Sequence, residues 1–372
     1  MKVTSIIIFI IIVGCNKSNE NVRENNIVNE LNFAQDSMFY DAVKNSNSLK
    51  ELFKPVKVIN LETTDESLMG EINSIIYLPD KQKIIVLDSF ISQSVFVFNL
   101  EGQYLFKYGN IGDGPDEYRK PKCITYEDDI IVINGWDLKL LFYNLDGDLI
   151  KELLLNSNGL HFAIDKMILF KKDLYCYTNQ PHRNIGISGH QNRVFKISNY
   201  KLTSSFGEPE ETFHVWGGDL IRYQNKIIFS GVFDGNIYKI PSLEVKPEIF
   251  YTFGKMTDLS GLMNKSDSDK LNFVIKNINN FDYIRNLGVI KNLLFVQKNK
   301  FVSVIDTDGK MVNYNIKDDL YPPKGYRDFA MPTKVWQTYS DGIIMPSINQ
   351  EKVKNGTSPN PSLIFYEFNH TD

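Results

Sequence analysis

An alternating apolar run that ends in a tight turn and then resumes occurs five times in this chain. The copies are SVFVFNLEGQYLFKYG (94–109), KLLFYNLDGDLIKELLL (139–155), RVFKISNYKLTSSFG (193–207), NIYKIPSLEVKPEIFYTFG (236–254) and FVSVIDTDGKMVNYNI (301–316). A sixth, SLIFYEFN (362–369), stops where its turn would begin. Glu101-Gly102, Asp146-Gly147 and Asp308-Gly309 are tight-turn dipeptides, because glycine reaches positive φ without a steric penalty. Two more strand candidates precede each copy: 72–78 and 83–88, 122–127 and 129–134, 166–171 and 174–178, 218–223 and 226–231, 283–290 and 293–298, 334–339 and 342–347. Each unit therefore holds four short strands joined by hairpins. Gly102 and Gly147 lie 45 residues apart, and four strands in roughly 40–50 residues is the period of a propeller blade.

The sixth unit lacks its outer strand, and VKVINLET (56–63) is a strand with no unit of its own. Pairing the two closes a ring and removes the exposed edges that template aggregation. The expected fold is thus all-β: a six-bladed β-propeller with four-stranded blades, the last closed by the N-terminal strand. Two packed sandwiches would need no common repeat. The 25 Phe and 19 Tyr favour strands. The layout that follows is a signal peptide at 1–14, a tether at 15–50 and one propeller domain at 51–372.

The first residues, MKVTSIIIFIIIVGC, place Lys2 before an apolar run from Ile6 to Val13. That run is shorter than the roughly 20 residues a membrane-spanning helix needs and has the size of a signal-peptide core. Gly14-Cys15 at its end resembles the bacterial lipobox. The resemblance implies cleavage before Cys15, lipid attachment at Cys15 and stable anchoring by several acyl chains; a secretory signal with an incidental cysteine is the alternative. Residues 16–32 are rich in Asn and Glu and cannot bury enough surface to fold alone. Asn16 stands where some bacteria use Asp for inner-membrane retention, so the expected address is the cell envelope, at the outer membrane, with its face open. A net charge of −4 gives no sign of a nucleic-acid surface. Cys123 and Cys176 lie in apolar strand runs, where buried free thiols are expected, with a disulfide as the alternative.

YGNIGDGPDEYRKP (108–121) links the outer strand of the first unit to the inner strand of the second. A phosphate-binding loop would open a helix; here Pro121 and the strand-like KCITYE follow. The stretch resembles the blade-to-blade segment of NHL-type six-bladed propellers. It is closer still to the six-bladed β-propeller lipoproteins common in Bacteroidota, whose G-x-G-P-x-E-Y is met by Gly112, Gly114, Pro115, Glu117 and Tyr118. The expected role is structural: Tyr118 packs between blades and Glu117 accepts hydrogen bonds from loop amides. A catalytic role for Glu117 and Arg119 is the alternative. Echoes stand at 206–216 and 321–332. Members of that family are mostly of unknown role, so the resemblance implies a fold and leaves activity open.

Propeller ligands sit over the central channel. The aromatic candidates are Trp136, Trp216 and Trp336, with inter-blade packing as the competing reading. Asp137, Asp219, Arg222, Arg285 and Arg327 are the polar ones. An insertion at 179–192 adds His182 and Arg183, and one at 255–282 predicts a short helix from about Ser268. His161, His182, His190 and His214 show no metal-ligand spacing, no metal site is assigned and no cofactor is expected. There is no G-x-S-x-G elbow. The leading expectation is a lipid-anchored, non-catalytic binding or scaffold protein for a protein, peptide or glycan partner. The alternative is a lyase or hydrolase using zinc or calcium in the channel.

Overall fold

The computed structural model describes residues 49–136, 139–155, 164–178, 193–206, 218–233, 235–240, 247–253, 266, 269, 272–273, 276–277, 283–298, 301–306, 309–315, 326–328, 337–349 and 360–368. A one-turn helix, α1 (Leu49–Leu52), runs into β1 (Phe53–Asn60). Blade 1 is β2 (Ser74–Leu78), β3 (Lys83–Asp88), β4 (Ser94–Phe98) and β5 (Tyr104–Tyr108). A two-residue parallel pair follows, β6 (Asn110–Ile111) with β7 (Glu117–Tyr118). Blade 2 is β8 (Pro121–Glu127), β9 (Ile130–Gly135), β10 (Lys139–Asn144) and β11 (Leu149–Leu154). Blade 3 is β12 (Lys166–Phe170), β13 (Asp173–Tyr177), β14 (Val194–Ser198) and β15 (Lys201–Phe206). Blade 4 is β16 (Asp219–Tyr223), β17 (Lys226–Ser230), β18 (Asn236–Ile240) and β19 (Glu248–Thr252). Blade 5 is β20 (Ile284–Ile290), β21 (Leu293–Lys298), β22 (Phe301–Ile305) and β23 (Met311–Asn315). Blade 6 is β24 (Tyr326–Asp328), β25 (Gln337–Tyr339), β26 (Gly342–Asn349) and β27 (Ser362–Phe368), with β1 as its outermost strand. The first strands of the first five blades and β25 touch in a closed cycle, β2 to β8, β12, β16, β20, β25 and back to β2. The protein is a six-bladed propeller of antiparallel four-stranded blades, closed by its N-terminal strand.

The middle strands are apolar on both faces because each lies between two neighbouring blades. In β3, Ile84 and Val86 join the core shared with blade 6, while Ile85 and Leu87 join the core shared with blade 2. Six such clusters fill the six blade interfaces. Each fully buried Val, Leu or Ile contributes about 1.5–3 kcal/mol, so continuous apolar runs replace the alternation of a half-exposed sheet. Cys123 and Cys176 are free and buried together in the cluster between blades 2 and 3.

Ring closure has two parts. The register runs from Phe53 opposite Phe368 to Asn60 opposite Ser362, with an irregularity between Pro55 and Lys57. The strand thus starts three residues before the expected Val56, because proline is tolerated at a bulge on an edge strand. Beyond it, Asn360 acts as a latch. Its side chain accepts from the Met69 amide at 2.9 Å and donates to the carbonyls of Glu62 and Ser67 at 2.6 and 2.7 Å, while its own amide donates to Thr63 Oγ1 at 2.9 Å.

The last blade departs from the sequence expectation. A short extra strand, β24, pairs with β26 beyond the three-residue β25, within the stretch read as an echo of the joining motif. In the insertion at 255–282, the described Asp269, Asn272, Phe273, Lys276 and Asn277 are helical.

Candidate functional site

The antiparallel order gives the disc two unlike faces. Connections from the first to the second strand and from the third to the fourth share one face, and several are two-residue turns. Asp128-Asp129, Lys171-Lys172 and Asn199-Tyr200 each have both φ values positive, the geometry that matches strand twist. In blades 1 and 2 the outer turn is pinned by an asparagine: Asn99 Oδ1 accepts from the amides of Glu101 and Gln103, and Asn144 Oδ1 from those of Asp146 and Asp148. The remaining connections, between second and third strands and between blades, fall on the face where the inner strands begin. Among the described residues they include the long stretches 61–73 and 109–120.

The loop 109–120 folds back on itself. Asn110 N–H donates to Asp116 O at 3.2 Å, Gly112 N–H to Tyr118 O at 3.1 Å and Glu117 N–H to Gly114 O at 3.2 Å. Glu117 Oε2 accepts from the Gly114 amide at 2.7 Å, and a Cβ on Gly112 would lie 2.1 Å from that oxygen. Tyr118 is 1 % exposed; its hydroxyl donates to Tyr108 O at 2.7 Å and receives the Val95 amide at 3.3 Å. Its ring belongs to the core between blades 1 and 2, and burial pushes the phenol far above its ordinary pKa. Pro115 is exposed. The buried Lys139 donates to Gly114 O and Glu117 O, both at 3.0 Å, and stands 3.6 Å from Glu152. Its part in holding the loop was not legible in the sequence, where it opens an ordinary strand.

Trp136 directly follows β9 and is 59 % exposed. Its amide donates to Arg119 O at 2.9 Å, and Lys122 Nζ lies 5.2 Å from the ring centroid. With Gln93, Ile111, Arg119 and Lys120 it lines a depression of ≈ 490 Å³. Phe90 and Ile91, 60 % and 68 % exposed, sit on the same connection as Gln93. Arg119 pairs with Asp113 in an exposed contact, and Lys122 with Asp165 at 2.5 Å.

The other candidates do not converge on Trp136. Arg222 lies at the opposite end of its inner strand; its guanidinium reaches Glu127 at 3.3 Å and lies 5.0 Å from the Phe170 ring centroid. Arg285, near the start of β20, donates from Nε to Tyr283 Oη at 3.1 Å. Asp219 is buried: its carboxylate accepts from the Leu220 and Leu287 amides at 2.9 and 2.8 Å and stands 3.7 Å from Lys166, and burial raises its pKa. Cys15, Asp137, His182, Arg183, Trp216 and Trp336 lie outside the described residues, as do the four histidines of the metal alternative and the Arg327 side chain. Among the described residues no group of three or more His, Cys, Asp or Glu gathers as a metal site, and no helix is long and apolar enough to cross a membrane.

Closed ring and joined blades together define a six-bladed β-propeller. More particularly, the profile of the family "Domain of unknown function (DUF4934)" matches residues 37–366. The chain belongs to that family. Among solved structures it is similar to a Bacteroides fragilis protein described as exported, at 17 % identity and TM-score 0.63, covering 87 % of this chain and 97 % of that one. It is also similar to a DUF4221 family member from Bacteroides vulgatus, at 10 % identity and TM-score 0.49, covering 86 % and 99 %. At these identities the likeness is one of fold. No curated protein matches the sequence.

Proposed function

We propose that this chain is a lipid-anchored propeller of the cell envelope, held at the outer membrane through Cys15, that binds a protein, peptide or glycan partner without catalysis. The observation that carries the reading is the asymmetry of the disc. Among the described residues, one face has the tight turns at 128–129, 171–172 and 199–200, while the other bears the longer connections 61–73 and 109–120, with Leu68, Phe90, Ile91, Ile111 and Trp136 exposed. Binding residues concentrate on loops held by a rigid scaffold, and exposed apolar side chains grouped on one face mark interaction sites. The lipobox-like Gly14-Cys15 and the exported description of the Bacteroides fragilis neighbour support the address. The G-x-G-P-x-E-Y match supports the kinship with Bacteroidota propeller lipoproteins.

Fractionation of a Cys15→Ser variant tests the anchor. The wild type is expected in the membrane fraction and the variant in the soluble fraction; a variant that stays with membranes refutes lipidation. Photo-crosslinking in intact cells tests the face. A probe at Phe90 is expected to capture a specific partner, and one at Lys172 is not. Capture of the same partner from Lys172 alone overturns the assignment.

A further inference from the structure

The depression beside Trp136 has a chemistry that narrows the ligand. It is open to solvent, and its lining combines one largely exposed aromatic ring, one aliphatic side chain, one amide and two cations. The axial C–H bonds of a pyranose carry partial positive charge and pack on the electron-rich face of an indole, the same quadrupole that attracts cations. Lys122 lies over part of the Trp136 ring at 5.2 Å, and the exposed remainder of the indole offers that platform. Lys120 is exposed at the rim, and Arg119 is held by Asp113 in a pair whose side chains are 63 % and 65 % exposed. Such a pair contributes little net free energy, so a ligand anion can take the place of Asp113. Gln93 supplies both a donor and an acceptor for hydroxyl groups.

The backbone of the loop argues against peptide capture by strand addition. That mode needs a row of free amides and carbonyls. Here β6 and β7 are paired with each other, the amides of Asn110 and Gly112 are bonded within the loop, and the Trp136 amide is bonded to Arg119 O. Recognition is left to side chains.

We propose that this depression binds an anionic glycan, one sugar ring stacked on Trp136 and its carboxylate or sulfate held between Arg119 and Lys120. The inference rests on the reading of the loop-bearing face as the binding face.

The test is calorimetric titration of the full-length protein in detergent at low salt. The probes are oligogalacturonate, a sulfated oligosaccharide, a neutral galacto-oligosaccharide of the same length, and poly-glutamate. Saturable binding of one of the two anionic sugars is expected, weakening as salt is raised, with the neutral sugar and poly-glutamate much weaker. Trp136→Ala and Lys120→Glu should each weaken it on the order of tenfold, while Lys172→Glu on the opposite face leaves it unchanged. All three positions are exposed, and matching urea midpoints verify that the variants fold. Equal binding of poly-glutamate, or a loss with Lys120→Glu but none with Trp136→Ala, would mean an acidic peptide or a general electrostatic surface and overturns the proposal. Failure of both anionic sugars also overturns it. The binding-face reading is decided separately, by the crosslinks from Phe90 and Lys172.

Discussion

Replacing Asn360 by alanine should cost about a third of the stability of an ordinary domain. The substitution deletes three side-chain hydrogen bonds, to the Met69 amide and the Glu62 and Ser67 carbonyls. Asn360 is 2 % exposed and Met69 4 %, so water does not readily replace the lost partners. A net hydrogen bond contributes about 1 kcal/mol, and a buried donor left unpaired costs about 1–3 kcal/mol. The two carbonyl bonds and the orphaned Met69 amide together come to about 3–5 kcal/mol, against a total of about 5–15 kcal/mol for a typical domain. The bond from the Asn360 amide to Thr63 survives, as does the β1–β27 ladder, so the native ring should persist at low temperature. Urea unfolding followed by intrinsic fluorescence should show a lower midpoint at unchanged slope. Thermal unfolding should shift down by about 7 °C, at roughly 2 °C per kcal/mol. Hydrogen exchange should quicken first at 61–70. Asn360→Asp should be at least as harmful at neutral pH, because it sets a carboxylate against two carbonyls. A loss below about 1 kcal/mol, or exchange that rises equally in all six blades, would refute the latch.

Two further outcomes follow from the coordinates. A Cβ on Gly102 would lie 2.3 Å from Asn60 O, and its φ is +85°, so Gly102→Ala should destabilise by about 1–3 kcal/mol, read as a lower urea midpoint; a neutral effect would show that the blade 1 turn is not seated on the closing strand. Burial pushes the Cys123 thiol up to about 12 and that of Cys176 well above its ordinary value. Both thiols are therefore protonated through the physiological range, and as a Cys15→Ser chain the folded protein should resist alkylation at pH 8, both reacting only on unfolding; rapid labelling of the native protein would contradict their burial.

The strands were legible because membership in two cores leaves a trace in the sequence: KIIVLD, DIIVIN and LLFVQK are apolar at odd and even positions alike. Turns with glycine were equally plain. The turn at Lys171-Lys172 gave no such signal, since there the strands' twist imposes positive φ on residues that do not favour it. Pro55 hid the true start of β1, because its tolerance depends on the strand lying at an edge. Asn360 and Lys139 were invisible for a different reason. Their partners are carbonyls and amides, which carry no side-chain signature, and the latch joins points 291 to 298 residues apart. Of the candidate site, Trp136 could be named from its place at a strand end. Gln93 and Lys120 could not, because what selects them is the juxtaposition of loops from two blades.

Pairing Phe53 with Phe368 also sets an order of events. The stretch 53–60 must wait, without its hydrogen-bonding mate, until residues 362–368 have left the ribosome or translocon. Joining ends so distant carries the entropy of a very long loop, though that penalty grows only slowly with length. A product cut short before residue 362 would leave its leading strand orphaned, an exposed edge of the kind that templates aggregation.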